Sequence, residues 1–422
     1  MRLEKAAITI FGKRIFYGWI IVATGFLVLC VEGSCIFYSF GIFLKPMIAE
    51  LEAGRAAGSA AFTVFQLVVG MSSPLVAIII GKLGCRFPMA IGFTLAAVGM
   101  ALLSRITEIW QLWLLYGVIV GIGVAFGHLL ALTTLVNLWF VKRKALAIGI
   151  VVAGMGTGPL IFSRPIASLV MTLGWRNSWL VLAAVVFLLA AIPALLFMRD
   201  RREEDDHLKE DSFDKGGEKD LPKASKALWT VRQGIRTRAL WFIIIFACAN
   251  QFTLNMMNSH QIAHLTDIGI PAVTAAGSLG LMVGMSGIGR LTGGVLGDRF
   301  RPRFLVAVAV LVEIIALMIF VSARSMISVY SYAVLLGFSY GMVLVLHLVM
   351  VSKYYGARSY AKMAAVVMLV TTPIYALGPL VAGYVYDLLG SYLVPFYACI
   401  IFLVIGCLCA LLARPPVWKE KN

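Results

Sequence analysis

The sequence predicts an all-α membrane protein: twelve transmembrane helices in two similar six-helix halves, joined by a charged linker. Three observations predict it. Of 422 residues, 61% are hydrophobic and only 13% are charged, about half the ~25% charge of a soluble domain. Apolar segments long enough to cross a bilayer recur along the whole chain. One hydrophilic interval, residues 199–238, carries 10 of the 20 acidic residues and separates six apolar segments from six.

In chain order, the first span is expected at about 17–40, up to Lys45. The second runs over 57–80 to Lys82, and the third over 88–104 between Arg86 and Arg105. The fourth covers 110–138 and stops at the basic cluster Lys142–Lys144. The fifth covers 143–168, the sixth 178–198 between Arg176 and Arg199. After the linker come 239–265, 273–297, 303–322 between Arg303 and Arg324, and 328–352 up to Lys353. The last two are 360–385 and 392–413, the latter ending at Arg414. The expected domains are therefore residues 1–198, the cytoplasmic linker 199–238, and 239–422. The linker has almost no apolar periodicity and reads as a mobile or partly helical segment.

The formal charge of +16 invites a nucleic-acid reading, and its distribution rejects it. With the amino terminus inside, 29 of the 36 Lys and Arg fall in cytoplasmic segments and 6 in outer ones. That is a positive-inside bias, which places both termini in the cytoplasm of a multi-pass protein of the cell membrane. The first apolar run is too long for a secretory signal and lacks a small-residue cleavage site. The seven Cys residues are scattered through the spans with no metal or redox spacing, as apolar packing residues would be.

The remaining cation is Arg290, alone within Ala272–Leu296. A charge at bilayer depth costs at least about 2.5 kcal/mol and faces a cavity or a partner. Its guanidinium is a planar fork that matches a carboxylate. Arg290 therefore points to a small organic anion as ligand.

The halves resemble each other. Residues 117–127 and 335–346 are glycine-spaced spans; each is followed by an aromatic pair, a basic cluster and an Ala-rich restart. Gly158-Pro159 and Gly378-Pro379 mark corresponding places in the fifth and eleventh spans. A parallel repeat of this kind is what six-plus-six transporters show.

Gly293-Gly294-Val295-Leu296-Gly297-Asp298-Arg299, followed by Arg301 and Arg303, resembles the G-x-L-x-D-R loop motif of the major facilitator superfamily. The corresponding loop, Gly81-Lys82-Leu83-Gly84-Cys85-Arg86-Phe87-Pro88-Met89, lacks the acid and is similar to the G-C-R-P-x-M turn of monocarboxylate porters. Phe16-Tyr17-Gly18-Trp19, Ser39–Pro46 and Trp139-Phe140 with Lys142-Arg143-Lys144 are similar to the same porters and to bacterial oxalate/formate-type relatives. The resemblance spans the chain except the linker. It implies a secondary transporter of a lactate- or pyruvate-like monocarboxylate, working by alternating access with a proton as expected partner. It also implies Asp298 and Arg299 as a conformational motif.

The chain departs from animal porters. Ser286 stands where they have an Asp four residues before the helix-eight Arg, and Tyr38 where they have a Lys in the first helix. Bacterial relatives use an acid and a His of the seventh helix, and this chain has Asp267 and His260 there.

The candidate substrate residues are Arg290, His260, His128, Tyr340 and Tyr38; the candidate proton-coupling acids are Asp267 and Glu32. His128 occupies a place where porter relatives have Tyr or Asn lining the cavity. Each has a plainer alternative: Arg290 as a helix fastener, Asp267 as a solvated helix end, the tyrosines as packing. Asn255 and Asn258 interrupt the seventh span, and Glu313 in the ninth is expected to be peripheral. His260 and His264 share a face at one turn's spacing, but no acid or Cys joins them, so no metal is expected. His347 has no assigned role. Gly284-Met285-Ser286-Gly287 matches the G-x-S-G of intramembrane serine proteases, which needs a base within reach; twelve spans in two halves argue against an enzyme. No cofactor is expected. An oxalate/formate-type exchanger and a carrier-fold nutrient sensor stay open beside the symporter. The absence of Lys or Arg between Met363 and Tyr384 favours a monoanion over oxalate.

Overall fold

Backbone N–H and C=O groups in hydrocarbon have no water to bond, so a spanning chain is driven to helix. The computed structural model, which describes residues 7–10, 13–53, 55–141, 143–200 and 228–416, is helical almost throughout. The stretch 201–227 of the predicted linker, Lys142 of the basic cluster and both extreme termini lie outside the described residues. The chain divides into two compact units, Met1–Leu221 and Pro222–Asn422.

The first unit holds α1 (Gly18–Leu44), α2 (Ala60–Met71 and Ser73–Leu83, bent by 46°), α3 (Arg86–Leu103), α4 (Ile109–Trp139), α5 (Lys144–Phe162) and α6 (Ser168–Phe197). The second holds α7 (Arg238–Asp267), α8 (Ala272–Arg299), α9 (Pro302–Val321), α10 (Met326–Tyr355), α11 (Tyr360–Ala376, continued as Gly378–Leu389) and α12 (Leu393–Leu412). Among the described residues, ten helices are long and apolar enough to cross a membrane and the bent α2 makes an eleventh. The first piece of α11 has 17 residues and runs on past Leu377 through Gly378-Pro379. A short antiparallel hairpin, Ala7–Ile10 with Lys13–Phe16, precedes α1. In the gap expected between the fifth and sixth spans the chain is helical up to Gly174, which lies six residues inside α6 and turns the chain there at φ 74°. A positive φ of that size is cheap only for glycine.

Aromatic residues fix the ends of the first unit. Phe16 and Tyr17 pack on Trp139 at 5.9 and 5.4 Å, and Trp19 meets Phe140 edge-on at 5.1 Å. Two separate sequence motifs thus form one cluster. Trp139 Nε1 donates to the Arg199 carbonyl at 3.0 Å and Tyr17 Oη to that of Phe197 at 2.8 Å, tying α1 and α4 to the end of α6. At the other end, Phe43 packs on the buried Trp179 at 4.1 Å. Glu50 accepts from Trp175 Nε1 at 2.5 Å and Arg176 Nε at 3.0 Å, which hold its carboxyl below the usual carboxylate range.

In the second unit α8 and α10 approach backbone to backbone. Gly289 and Gly293 of α8 face Phe338 and Met342; Gly337 and Gly341 of α10 face Met282 and Ser286. A Cβ added at Gly289 would collide with the Phe338 carbonyl, and one at Gly341 with the Ser286 carbonyl and, at 3.0 Å, the Arg290 nitrogen. Two pairs of glycines four residues apart are the small-residue stripes that let membrane helices touch. Asn250 of α7 donates to the Glu313 carboxylate of α9 at 2.7 Å, with both side chains buried. Glu313 thus fastens α9 to α7. All seven cysteines are free and buried.

The glycine crossing yields the first expected outcome. Gly289→Val should lower the midpoint of thermal unfolding in detergent by several degrees, since overpacking costs roughly 1–3 kcal/mol. The same change at Gly280, where a Cβ meets no atom within 4 Å, should leave the midpoint within a degree or so. Equal melting of the two variants would refute the close crossing.

Candidate functional site

The predicted site residues fall into separate groups. Arg290 lies on α8 with 3% of its surface exposed. Its burial follows from the crossing: the Gly341 position lies against the Arg290 backbone, so no side chain of α10 intervenes there. Tyr340, buried at 9% exposure, directly precedes Gly341 and stands at the same level. Ser286, one turn before Arg290, donates its hydroxyl to the Val283 carbonyl of its own helix at 2.7 Å. A serine used this way is a helix packing residue, not an activated nucleophile.

His260 of α7 is half-buried and its Nε2 lies 2.9 Å from the Pro379 carbonyl, at the start of the second piece of α11. A carbonyl only accepts, so Nε2 carries a proton and donates it. Tyr392 packs on the same ring at 5.1 Å. His264 is buried among Phe320, Phe396 and Tyr392. Asp267 is the exposed last residue of α7. It lines a cavity of about 240 Å³ with His264, Arg324, Tyr386 and Tyr392; Arg290 is not among the described residues around that cavity. The cation on the same cavity as Asp267 is therefore Arg324.

In the first unit the structure joins two residues that the sequence assigns to different tasks. His128 Nδ1 lies 2.5 Å from Glu32 Oε1. The Glu32 side chain is fully enclosed and that of His128 is 17% exposed. Both stand at breaks in regular helix. Glu32 immediately precedes a π-helical segment of α1, Gly33–Tyr38, which ends at the half-buried Tyr38. His128 interrupts α4 with extended backbone, φ −70° and ψ −169°. A second π segment, Trp113–Val120, lies upstream in α4. Tyr116 within it donates to the Ile36 carbonyl of α1 at 2.9 Å. The glutamate is enclosed because α1 and α5 cross closely, with the Gly33 position 2.8 Å from the Met155 carbonyl.

Asp298 and Arg299 end α8, where Lys353 Nζ of α10 donates to the Gly297 carbonyl at 2.6 Å. In the corresponding α2–α3 turn, which lacks an acid, Asp200 supplies one from the end of α6. Its carboxylate accepts from the Cys85 and Arg86 nitrogens at 2.5 and 3.1 Å, while Arg86 Nε donates to the Leu195 carbonyl at 2.7 Å. Burial, with the Asp200 charge beside it, pushes the Cys85 thiol well up. Sequence reasoning missed Asp200 because it opens the acidic run and reads as linker. The signal was the helix-start position of Cys85-Arg86, whose free amides call for an acceptor. Among the described residues no group of three or more His, Cys, Asp or Glu is placed to hold a metal ion.

The family model described as Major Facilitator Superfamily matches residues 24–372 and 283–422. The chain is 25% identical over 405 residues to monocarboxylate transporter 3 of Rattus norvegicus, covering 90% of this chain and 76% of that one. It is 26% identical over 404 residues to monocarboxylate transporter 13 of Rattus norvegicus, covering 92% and 87%. Among solved structures it is similar to the E. coli fucose:proton symporter FucP, with a TM-score of 0.72 at 15% identity, covering 94% of this chain and 98% of that one.

Removing the cap supplied by Asp200 should be felt locally. Asp200→Ala should cost about 1–2 kcal/mol, the usual loss for a helix cap, seen as a lower melting midpoint of purified protein. Asp200→Asn, which keeps an acceptor, should recover at least half of it. Unchanged melting of the alanine variant would rule out the clasp.

Proposed function

This chain belongs to the major facilitator superfamily, and from that premise we propose that it carries a small monocarboxylate, lactate- or pyruvate-like, with a proton by alternating access. Membership makes it a multi-span membrane transporter and not an enzyme. The observation that carries the substrate reading is Arg290, a buried cation held at the α8–α10 crossing level with Tyr340. A guanidinium there offers two parallel N–H donors to a carboxylate, and the tyrosine supplies a hydroxyl for a substrate oxygen. The names of the similar rat proteins support the same class. The charge bias supports cytoplasmic termini, and the cell membrane is the place this reading gives the carrier.

Alternating access needs the ligands to bind the two states differently, since a ligand shifts an equilibrium only through differential affinity. The substrate anion would do this through Arg290. The proton needs a titratable group, and the two predicted acids lie in different settings. Asp267 is exposed at the end of α7; Glu32 is enclosed within α1.

Two outcomes test the substrate reading in vesicles reconstituted with the full chain. Arg290→Lys, which keeps the charge and loses the fork, should cut uptake of labelled lactate or pyruvate at least tenfold while the protein still inserts and melts normally. Uptake near the wild-type level at several concentrations would remove the carboxylate-clamp role. Oxalate should compete at least a hundredfold less well than a monoacid. Its second carboxylate would enter a low-dielectric site without a fixed counter-charge, and each ~1.4 kcal/mol is tenfold in affinity. Equal competition by oxalate would favour an exchanger of the oxalate/formate type. Ligand binding without any uptake would favour the sensor.

A further inference from the structure

We infer that Glu32 and His128 form one proton-carrying pair, so that the coupling proton is held in the first unit and not by Asp267. The inference rests on the proton-coupled reading above and specifies where the proton sits. Three independent features converge on the pair. The contact is short, 2.5 Å between Nδ1 and Oε1. It joins two backbone irregularities, the start of the α1 π segment and the break in α4. Discontinuous helices at depth are where transporters place coupling-ion sites, and π segments recur at functional positions. Third, Glu32 Oε2 is buried without a hydrogen-bond partner among the described residues. Glu313 Oε2 of the second unit is in the same condition, but beside that carboxylate stands the amide of Asn250, whereas beside Glu32 stands an imidazole that can take a proton.

The surroundings leave the proton few other places. On α1 the other ionisable side chains are Cys30, Cys35 and Tyr38, and on α4 there is Tyr116. Tyr116 is already committed to the Ile36 carbonyl. The interiors of α2, α3, α5 and α6 present no Asp, Glu, Lys, Arg or His; the charged residues of these helices, Lys82, Arg86, Lys144 and Arg176, stand near helix ends or beside the Gly174 turn. Glu32 and His128 are therefore the carboxylate and the base of the unit's interior.

The chemistry follows from the geometry. With the Nδ1 proton donated to Oε1, the imidazole presents Nε2 as the open acceptor. The His128 side chain, 17% exposed, is the member of the pair that is not sealed off from its surroundings. Uptake of one proton from water at Nε2 turns a pair of net charge −1 into a neutral ion pair, and release to water restores it. No other atom changes bonding. The two forms differ by one unit of charge, so their balance responds to how far water penetrates the unit.

The test uses the full chain in vesicles, with labelled lactate as the probe. Counterflow at equal pH and accumulation driven by an imposed pH gradient are measured on the same preparation. In Glu32→Gln the ratio of gradient-driven accumulation to counterflow should fall at least tenfold. His128→Asn, which keeps a donor toward Glu32 but cannot take a second proton, should give the same loss. Asp267→Asn should move the ratio less than twofold. A tenfold loss in Asp267→Asn with a normal ratio in Glu32→Gln overturns the inference. So does a parallel fall of counterflow and accumulation in both variants of the pair with lowered melting, the signature of a structural fastener. Failure of the substrate reading shows differently, as no lactate counterflow in the wild type. In that case an infrared pH-difference spectrum of the substrate-free protein decides. The pair is supported if Glu32→Gln or His128→Asn removes a band from it, and rejected if both leave it unchanged.

Discussion

No backbone group can be left without a partner in hydrocarbon, where each omission costs several kcal/mol. Two irregular stretches among the described residues show that constraint answered. Where α1 loosens into its π segment, Ser34 and Ser39 donate to the Cys30 and Cys35 carbonyls and Tyr116 reaches across from α4 to that of Ile36. Where α11 is interrupted at Gly378-Pro379, His260 meets the Pro379 carbonyl. The side chains that satisfy the breaks also hold neighbouring helices in register. Local disorder of the ladder thereby becomes fixed geometry between helices, and that geometry carries the candidate chemistry.

The two units solve the same packing problem with different residues. In the second, glycines bring α8 and α10 into backbone contact and leave Arg290 buried between well-packed neighbours. In the first, Gly154 and Gly158 of α5 lie against the Phe26 and Cys30 carbonyls of α1, and this crossing encloses Glu32. Each unit closes its helix ends alike: Trp139 donates to the Arg199 carbonyl, and Tyr354 of α10 donates to that of Ala413. The chemistry is divided: an acid–base pair in one unit, a permanent cation in the other.

Much of the fold was legible because hydropathy and charge placement are properties of single residues and short windows. The spans, the positive-inside bias and the isolation of Arg290 needed no contact information. The expected gap between the fifth and sixth spans was not legible, because one glycine at φ 74° replaces a loop and composition does not report a dihedral angle. Glu32 and His128 were each picked out as single candidates, yet 96 residues separate them and nothing in their spacing says that they touch. Asp200 was hidden for a similar reason: its partner amides lie more than a hundred residues upstream, and amides leave no mark in a sequence.

The burial of all seven thiols has a practical bearing. Folded as described, the chain offers a maleimide or nitroxide reagent little native thiol to reach, since no cysteine is more than 8% exposed. Pairs of cysteines introduced at exposed positions, one in each unit, would then report alone. Spin-label or fluorescence distances between the units across a substrate cycle become readable in the wild-type background, without first stripping the protein of its own cysteines.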